Sequence, residues 1–145
     1  SWLCSKAALK TMSDIYDRCV VYTDGACSKN GCVDAKAGSG VFFAEGDKRN
    51  DCFTVPGRQT NQRAELWAII MALKIVPETV AVCVISDSMY SINCATKKWK
   101  ARSNLDLFDV LWKQCENRNI VWEHCRGHKG IPGNEAADKL ARSMT

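Results

Sequence analysis

The stretch that decides the fold runs from residue 60 to residue 86, "TNQRAELWAIIMALKIVPETVAVCVIS". In its first part Leu66, Ile69, Ile70 and Leu73 recur at i, i+3, i+4 and i+7. That spacing predicts an amphipathic helix capped by Thr60 or Asn61 and ended by Pro77. From Val80 to Ser86 the pattern becomes an almost unbroken apolar run, as in strands buried on both faces. A helix that links two strands predicts a parallel crossover, so the strand ahead of this helix should lie in the same sheet as the strand behind it.

Ahead of the helix, residues 18–23, 38–45 and 50–55 read as three strands. Short Gly- and Asp-containing turns between them imply an antiparallel meander. In "VVYTDGACSKNG", residues 20–31, Asp24-Gly25 reads as the turn that stops the first strand. After the crossover, 89–95 and 104–116 have helical spacing, 120–124 is a short strand, and 134–143 is a last helix entered from a Gly-rich loop. The order β-β-β-α-β-α-α-β-α has no internal repeat and no low-complexity linker, and predicts one α/β domain: a mixed sheet with helices packed on it. Residues 1–17 carry mixed charge and no apolar core, which argues against an intact signal peptide. They read as an N-terminal extension or leader ahead of a domain spanning 18–145. No apolar run is long enough for a membrane-spanning helix.

Nine cysteines form no C-x-x-C pair and no Cys/His quartet spaced for zinc. Reduced thiols of an intracellular protein are expected, with Cys19, Cys52 and Cys83 behaving as small hydrophobes beside apolar runs. The net charge of +4 says little by itself, but "KKWKAR", residues 97–102, sets four cations around Trp99. Such a cluster suits phosphates with an aromatic for stacking, and equally suits a solvated face.

Ligand sites in open α/β sheets gather beyond the carboxyl ends of strands. Asp24 closes the first expected strand and Asp87 the fourth, so parallel neighbours would set the two carboxylates side by side. Glu65, in the first turn of the crossover helix, flanks its apolar stripe, and Asp138 holds a similar flank position on the last helix. Each acid alone has an ordinary turn or surface role. Together they would repel by roughly 4 kcal/mol per pair at about 4 Å and an effective dielectric near 20. A hard divalent cation resolves that conflict, because all-oxygen ligation suits Mg²⁺ or Mn²⁺ and not zinc.

The motifs "YTDGACSKNG", "PGRQTNQRAELWA", "SDSMYSIN" and "RGHKGIPGNEAADKLA", in this order from about residue 18 to the C-terminus, resemble type 1 ribonuclease H, above all its eukaryotic cellular enzymes. The resemblance implies a ribonuclease H-like five-stranded mixed sheet, strands 1 to 3 antiparallel and strand 4 parallel to strand 1. It implies hydrolysis of the RNA strand of RNA/DNA hybrids, leaving 5′-phosphate and 3′-hydroxyl ends. Two Mg²⁺ ions, with Mn²⁺ as a substitute, would be held by Asp24, Glu65, Asp87 and Asp138. His128 matches a mobile-loop histidine that assists proton movement or product release, and Gly127, Gly130 and Gly133 around it would allow that mobility. Cys27, Asn30, Asn61, Gln62 and Met89 map onto the groups that feel the 2′-hydroxyl, while Arg58, Thr60 and Asn104 map onto a phosphate pocket for the DNA strand. Asn61 and Asn30-Gly31 also have plain readings, as a helix cap and a turn.

Between "SINCATKKWK" and "LDLFDVLWKQ" the chain is shorter than the cellular enzymes that carry a basic handle, and Lys97, Lys98, Trp99 and Lys100 are what remains of it. Weaker, steeply salt-dependent hybrid binding is expected. No obligate protein partner is evident, so a monomer is expected, in the nucleus or mitochondrion for a eukaryotic cellular enzyme. Two other readings stand beside this one: the ribonuclease H domain of a retroelement reverse transcriptase, and a hybrid-binding module without catalysis.

Overall fold

A computed structural model describes residues 18–145; the expected extension, residues 1–17, lies outside the described residues. Strands β1 (Cys19–Ser28), β2 (Lys36–Phe42) and β3 (Asp51–Thr54) are followed by helix α1 (Asn61–Ile75) and strand β4 (Val82–Ser86). Helices α2 (Met89–Ala95) and α3 (Leu105–Cys115), strand β5 (Ile120–His124) and helix α4 (Pro132–Arg142) complete the chain. The sheet order is β3-β2-β1-β4-β5. β1 pairs antiparallel with β2 and β2 with β3, whereas β4 is parallel to both β1 and β5. This is the expected mixed sheet, and the crossover through α1 is parallel as the period change required.

Alternation along β2 sorts the helices onto two faces. Ser39 points to α1 and donates its hydroxyl to the Ala64 carbonyl at 2.7 Å. Its neighbours Gly38 and Gly40 point the other way, onto α4, so closely that a Cβ on either would meet the backbone at Ala137 or Ala141. The larger core lies on the α1 side, where Leu66, Ile69 and Leu73 meet Val21, Val82, Val84, Phe108 and Leu111. Every residue of β4 is buried. Each large side chain so enclosed contributes about 1.5–3 kcal/mol. Trp67, Trp112 and Trp122 pack against this cluster while remaining partly exposed. The eight described cysteines are free, and only Cys83 and Cys94 are buried.

The first strand does not stop at its acid. β1 runs on to Ser28 because β2 keeps pairing with it, from Asp24 opposite Gly40 to Ser28 opposite Lys36. What ends near Asp24 is the parallel partner, whose last pair is Thr23 with Ser86. Gly25 is accordingly a strand residue and not a turn, and its missing side chain serves contact: a Cβ there would collide with the Glu65 amide and Ala64. Of the two candidate caps, Thr60 is the one used, its hydroxyl accepting the Arg63 N–H at 3.1 Å.

Candidate active site

Three elements deliver three acids to one place. Asp24 leaves β1 where β4 ceases to cover it, and its Oδ1 accepts the Gly25 N–H at 2.9 Å. Asp87 follows the last residue of β4 and precedes Ser88, which caps α2 by accepting the Ser91 N–H. Ser86 Oγ in turn accepts the Ser88 N–H at 3.0 Å, fixing the turn that carries Asp87. Glu65 lies one turn into α1, and the tight Gly25 contact brings that turn onto β1. One carboxylate oxygen from each of Asp24, Glu65 and Asp87 lies within 4.8 Å of the others.

No protein cation among the described residues pairs with these three. Burial, then the Asp87 charge, pushes the Asp24 carboxyl up to about 8. Burial and the charges of Asp24 and Asp87 also hold Glu65 well above the usual carboxylate range. Glu65 Oε1 is buried without a hydrogen-bond partner. A buried acceptor left unpaired costs about 1–3 kcal/mol, so the arrangement stores a demand for positive charge. The donor set is all oxygen and fits a hard divalent cation.

The fourth expected acid stands apart from this trio. Asp138 is buried on α4, where its Oδ2 accepts from Arg142 Nε at 2.8 Å. Its charge still reaches Asp24, as the smallest of the influences that raise that carboxyl. His128 is exposed in the loop between β5 and α4, at φ 58°. The glycines around it do different jobs, and freedom of motion is not the common one. Gly127 is pressed on the Asp87 carboxylate and Gly133 on the Tyr22 ring, while Gly130 takes a positive φ of 76° in open space.

The expected substrate groups gather along the N-terminal end of α1. Asn30, Arg58, Thr60, Asn61, Gln62 and Asn104 line a pocket of about 420 Å³ together with Gly31 and Ser103. Asn30 Oδ1 accepts the Asn61 N–H at 3.1 Å, which joins the β1–β2 turn to the helix. Asn61 and Glu65 are four residues apart on α1 and share a face, so the pocket and the acids lie about 6 Å apart along one helix. Cys27 Sγ lies 3.7 Å from the Gln59 carbonyl and Met89 is exposed at the start of α2. Asn104 caps α3 in the left-handed conformation, with Nδ2 donating to Tyr90 Oη at 3.2 Å.

The basic segment divides by contact and not by exposure: Lys97, Lys98 and Lys100 are all exposed and Trp99 is half exposed, but Lys97 Nζ alone of these sits over an aromatic ring, 4.9 Å from the centre of Trp112. Sequence reasoning missed Gly127 as a neighbour of the acid site, and it missed Arg63 and Asp106, which pair between α1 and α3. Only the "RGHKG" glycine offered a signal for the first; nothing in the spacing marks the second.

With this geometry in view, the comparisons with known proteins agree with it. The family model described as RNase H matches residues 17–145. The chain is 39% identical to mouse Ribonuclease H1 over 91% of its own length and 52% of that protein. It is 41% identical to Ribonuclease H of Schizosaccharomyces pombe, over 87% of the chain and 52% of that protein. Ribonuclease H of Alcanivorax borkumensis is 35% identical over 84% of the chain and 87% of the bacterial protein. The chain thus spans about half the length of its eukaryotic curated relatives. The match over all of the described residues, on a sheet that gathers three carboxylates at its centre, means that the chain belongs to the RNase H family.

Proposed function

We propose that residues 18–145 are a catalytic domain that hydrolyses the RNA strand of RNA/DNA hybrids, in which Asp24, Glu65, Asp87 and Asp138 hold two divalent cations. The single observation that carries this reading is the convergence of three buried or half-buried carboxylates that pair with no cation among the described residues. When bound, the ions supply activation of the attacking water and stabilisation of the leaving 3′ oxygen, which leaves 5′-phosphate and 3′-hydroxyl ends.

The protein's own residues do the rest. Asp24 and Asp87 present oxygens from adjacent parallel strands, and Glu65 closes the third side from α1. Asp138 completes the set by turning away from Arg142. His128, on its exposed loop, handles the proton of the product side. The amides of Asn30, Asn61 and Gln62 both donate and accept, as recognition of a 2′-hydroxyl requires, and Cys27 and Met89 border them. Arg58, Thr60 and Asn104 form the wall that takes a phosphate of the DNA strand. Lys98, Lys100 and Trp99 extend the contact beyond the pocket, with Mg²⁺ as the physiological ion and Mn²⁺ as a substitute.

The test is a labelled RNA/DNA hybrid incubated with Mg²⁺ or with EDTA, for the parent and for Asp87→Asn. Cleavage of the RNA strand that requires the metal and the carboxylate is expected. Cleavage that survives EDTA or the substitution contradicts the mechanism, and hybrid binding without cleavage identifies a binding module.

A further inference from the structure

We propose that Arg63 is a positioning residue that sets the width of the pocket lined by Arg58, Thr60 and Asn104, an inference that rests on reading that pocket as the seat of a phosphate of the hybrid. Arg63 lies directly after the pocket's helix residues but turns away from it and is only 6% exposed. Its guanidinium bonds to both segments that carry the pocket's lining residues. Nη2 donates to the Pro56 carbonyl at 2.9 Å, and Pro56 begins the segment that carries Arg58 and Thr60. Nη1 and Nη2 donate to the two carboxylate oxygens of Asp106 at 2.8 and 2.9 Å, in the first turn of α3 and two residues past Asn104.

Gly57 seals this joint. It takes a positive φ of 75°, and a Cβ there would stand 2.7 Å from Arg63 Nη2. One planar fork therefore fixes the distance between the loop bearing Arg58 and the cap bearing Asn104. A lysine has three donors but on a single atom, so it cannot present two parallel N–H groups to Asp106 while holding the Pro56 carbonyl in the same plane. Stability alone does not account for the device, because an ion pair with one partner open to water contributes little. Asp106, moreover, is left 64% exposed at its side chain, so the pair does not exist to bury it. What the fork supplies and an apolar contact does not is direction, between two segments that line a pocket read as fitting an anion.

The experiment compares steady-state cleavage of a hybrid by the parent, Asp106→Asn, Arg63→Lys, Arg58→Ala, Asn104→Ala and the double variant Asp106→Asn/Arg58→Ala, with Mg²⁺ titrations of each. Asp106→Asn is expected to raise KM for the hybrid roughly three- to tenfold while kcat changes less than about twofold and the Mg²⁺ dependence stays put. In the Arg58→Ala background it should add little, because the wall it aligns is already missing. Arg63→Lys, which removes the fork itself, should raise KM at least as much as Asp106→Asn, whose amide oxygen still accepts one Arg63 N–H. Should an Arg63 variant fail to fold, the exposed Asp106 carries the test. Fully additive effects, or a loss confined to kcat, overturn the proposal while leaving the pocket intact. If Arg58→Ala and Asn104→Ala leave KM unchanged, the reading of the pocket itself fails and the proposal falls with it.

Discussion

Gly127 lies directly against the carboxylate of Asp87: a Cβ built on Gly127 would stand 2.5 Å from Asp87 Oδ2 and 3.3 Å from its Cγ. The backbone that carries Asp87 is tied to the end of β5, since the His124 ring nitrogen lies 3.2 Å from the Asp87 carbonyl and Cys125 N–H donates to the Ser86 carbonyl at 3.0 Å. A Cβ at position 127 therefore displaces the Asp87 side chain from its present position, because the backbone that carries it is tied down. Gly127→Ala is expected to lower kcat by on the order of a hundredfold, the effect of about 1 Å of misplacement at a reacting centre. The melting temperature should barely change, because the clash is with one side chain and not with backbone. Full activity in the purified variant would show that the loop yields and the acid does not.

A second consequence concerns protons. Asp24 ionises at about 8 in the folded, metal-free protein against an ordinary 3.8, with burial as the main cause and Asp87 next. Between those values the unfolded chain binds fewer protons than the native one, so stability falls as pH rises from about 4 to about 8. A divalent cation reverses the preference by favouring the charged form. Titration of Mg²⁺ or Mn²⁺ into the protein at pH 7, in buffers of different ionisation heat, should show protons released on binding. Identical heats in all buffers would mean that the acids are already ionised.

These two relationships mark what could be read from the chain before its structure. The helix capped by Thr60 and the strand ending at Ser86 were legible because each has a single period and a clear stop, although the strand begins at Val82 and not at Val80. Asp24, Glu65, Asp87 and Asp138 could be named as candidates because strand ends and helix flanks are where acids reach a common edge. The length of β1 was not legible, because Asp24-Gly25 has turn chemistry and only pairing with β2 keeps it extended. The isolation of Asp138 on Arg142 was hidden for a related reason. An i, i+4 pair is visible in sequence, but its competition with a distant acid cluster is not.

Gly40 tests the packing that carries Asp138. A Cβ there would stand 2.7 Å from the Ala141 amide, hard against α4 backbone, so the helix itself has to move. Gly40→Ala should destabilise the protein by about 1–3 kcal/mol, the usual cost of overpacking, and should weaken metal binding as Asp138 shifts with its helix. Thermal denaturation and a Mg²⁺ titration measure the two effects. Loss of stability with unaltered metal affinity would place Asp138 outside the metal set.

The Arg63–Asp106 pair has its own pH signature. Hydrogen bonds from Arg63 hold the Asp106 carboxyl down to about 2, below its ordinary 3.8. Its contribution to stability is therefore complete above 3.8 and disappears as pH falls through 2. The stability difference between the parent and Asp106→Asn should be largest near neutrality and shrink by pH 2. A difference that persists at pH 2 would assign the effect to shape and not to charge.

The basic segment should not act as a unit. Lys98 and Lys100 are exposed and without a carboxylate partner among the described residues, so each can release a counterion on meeting a phosphate. Lys97 instead rests over Trp112, itself stacked on Phe108 at 5.5 Å, and its backbone is held at φ 61°. Lys98→Ala and Lys100→Ala should each flatten the plot of log K for hybrid binding against log salt by about one unit of slope and leave stability alone. Lys97→Ala should lower stability by about 0.5–1 kcal/mol through the lost cation–π contact while changing the salt slope less. Trp99→Ala should weaken binding at every salt concentration by about 1–3 kcal/mol, since stacking releases no counterions. Equal slopes for all three lysine variants would mean that Lys97 leaves the ring to meet the nucleic acid.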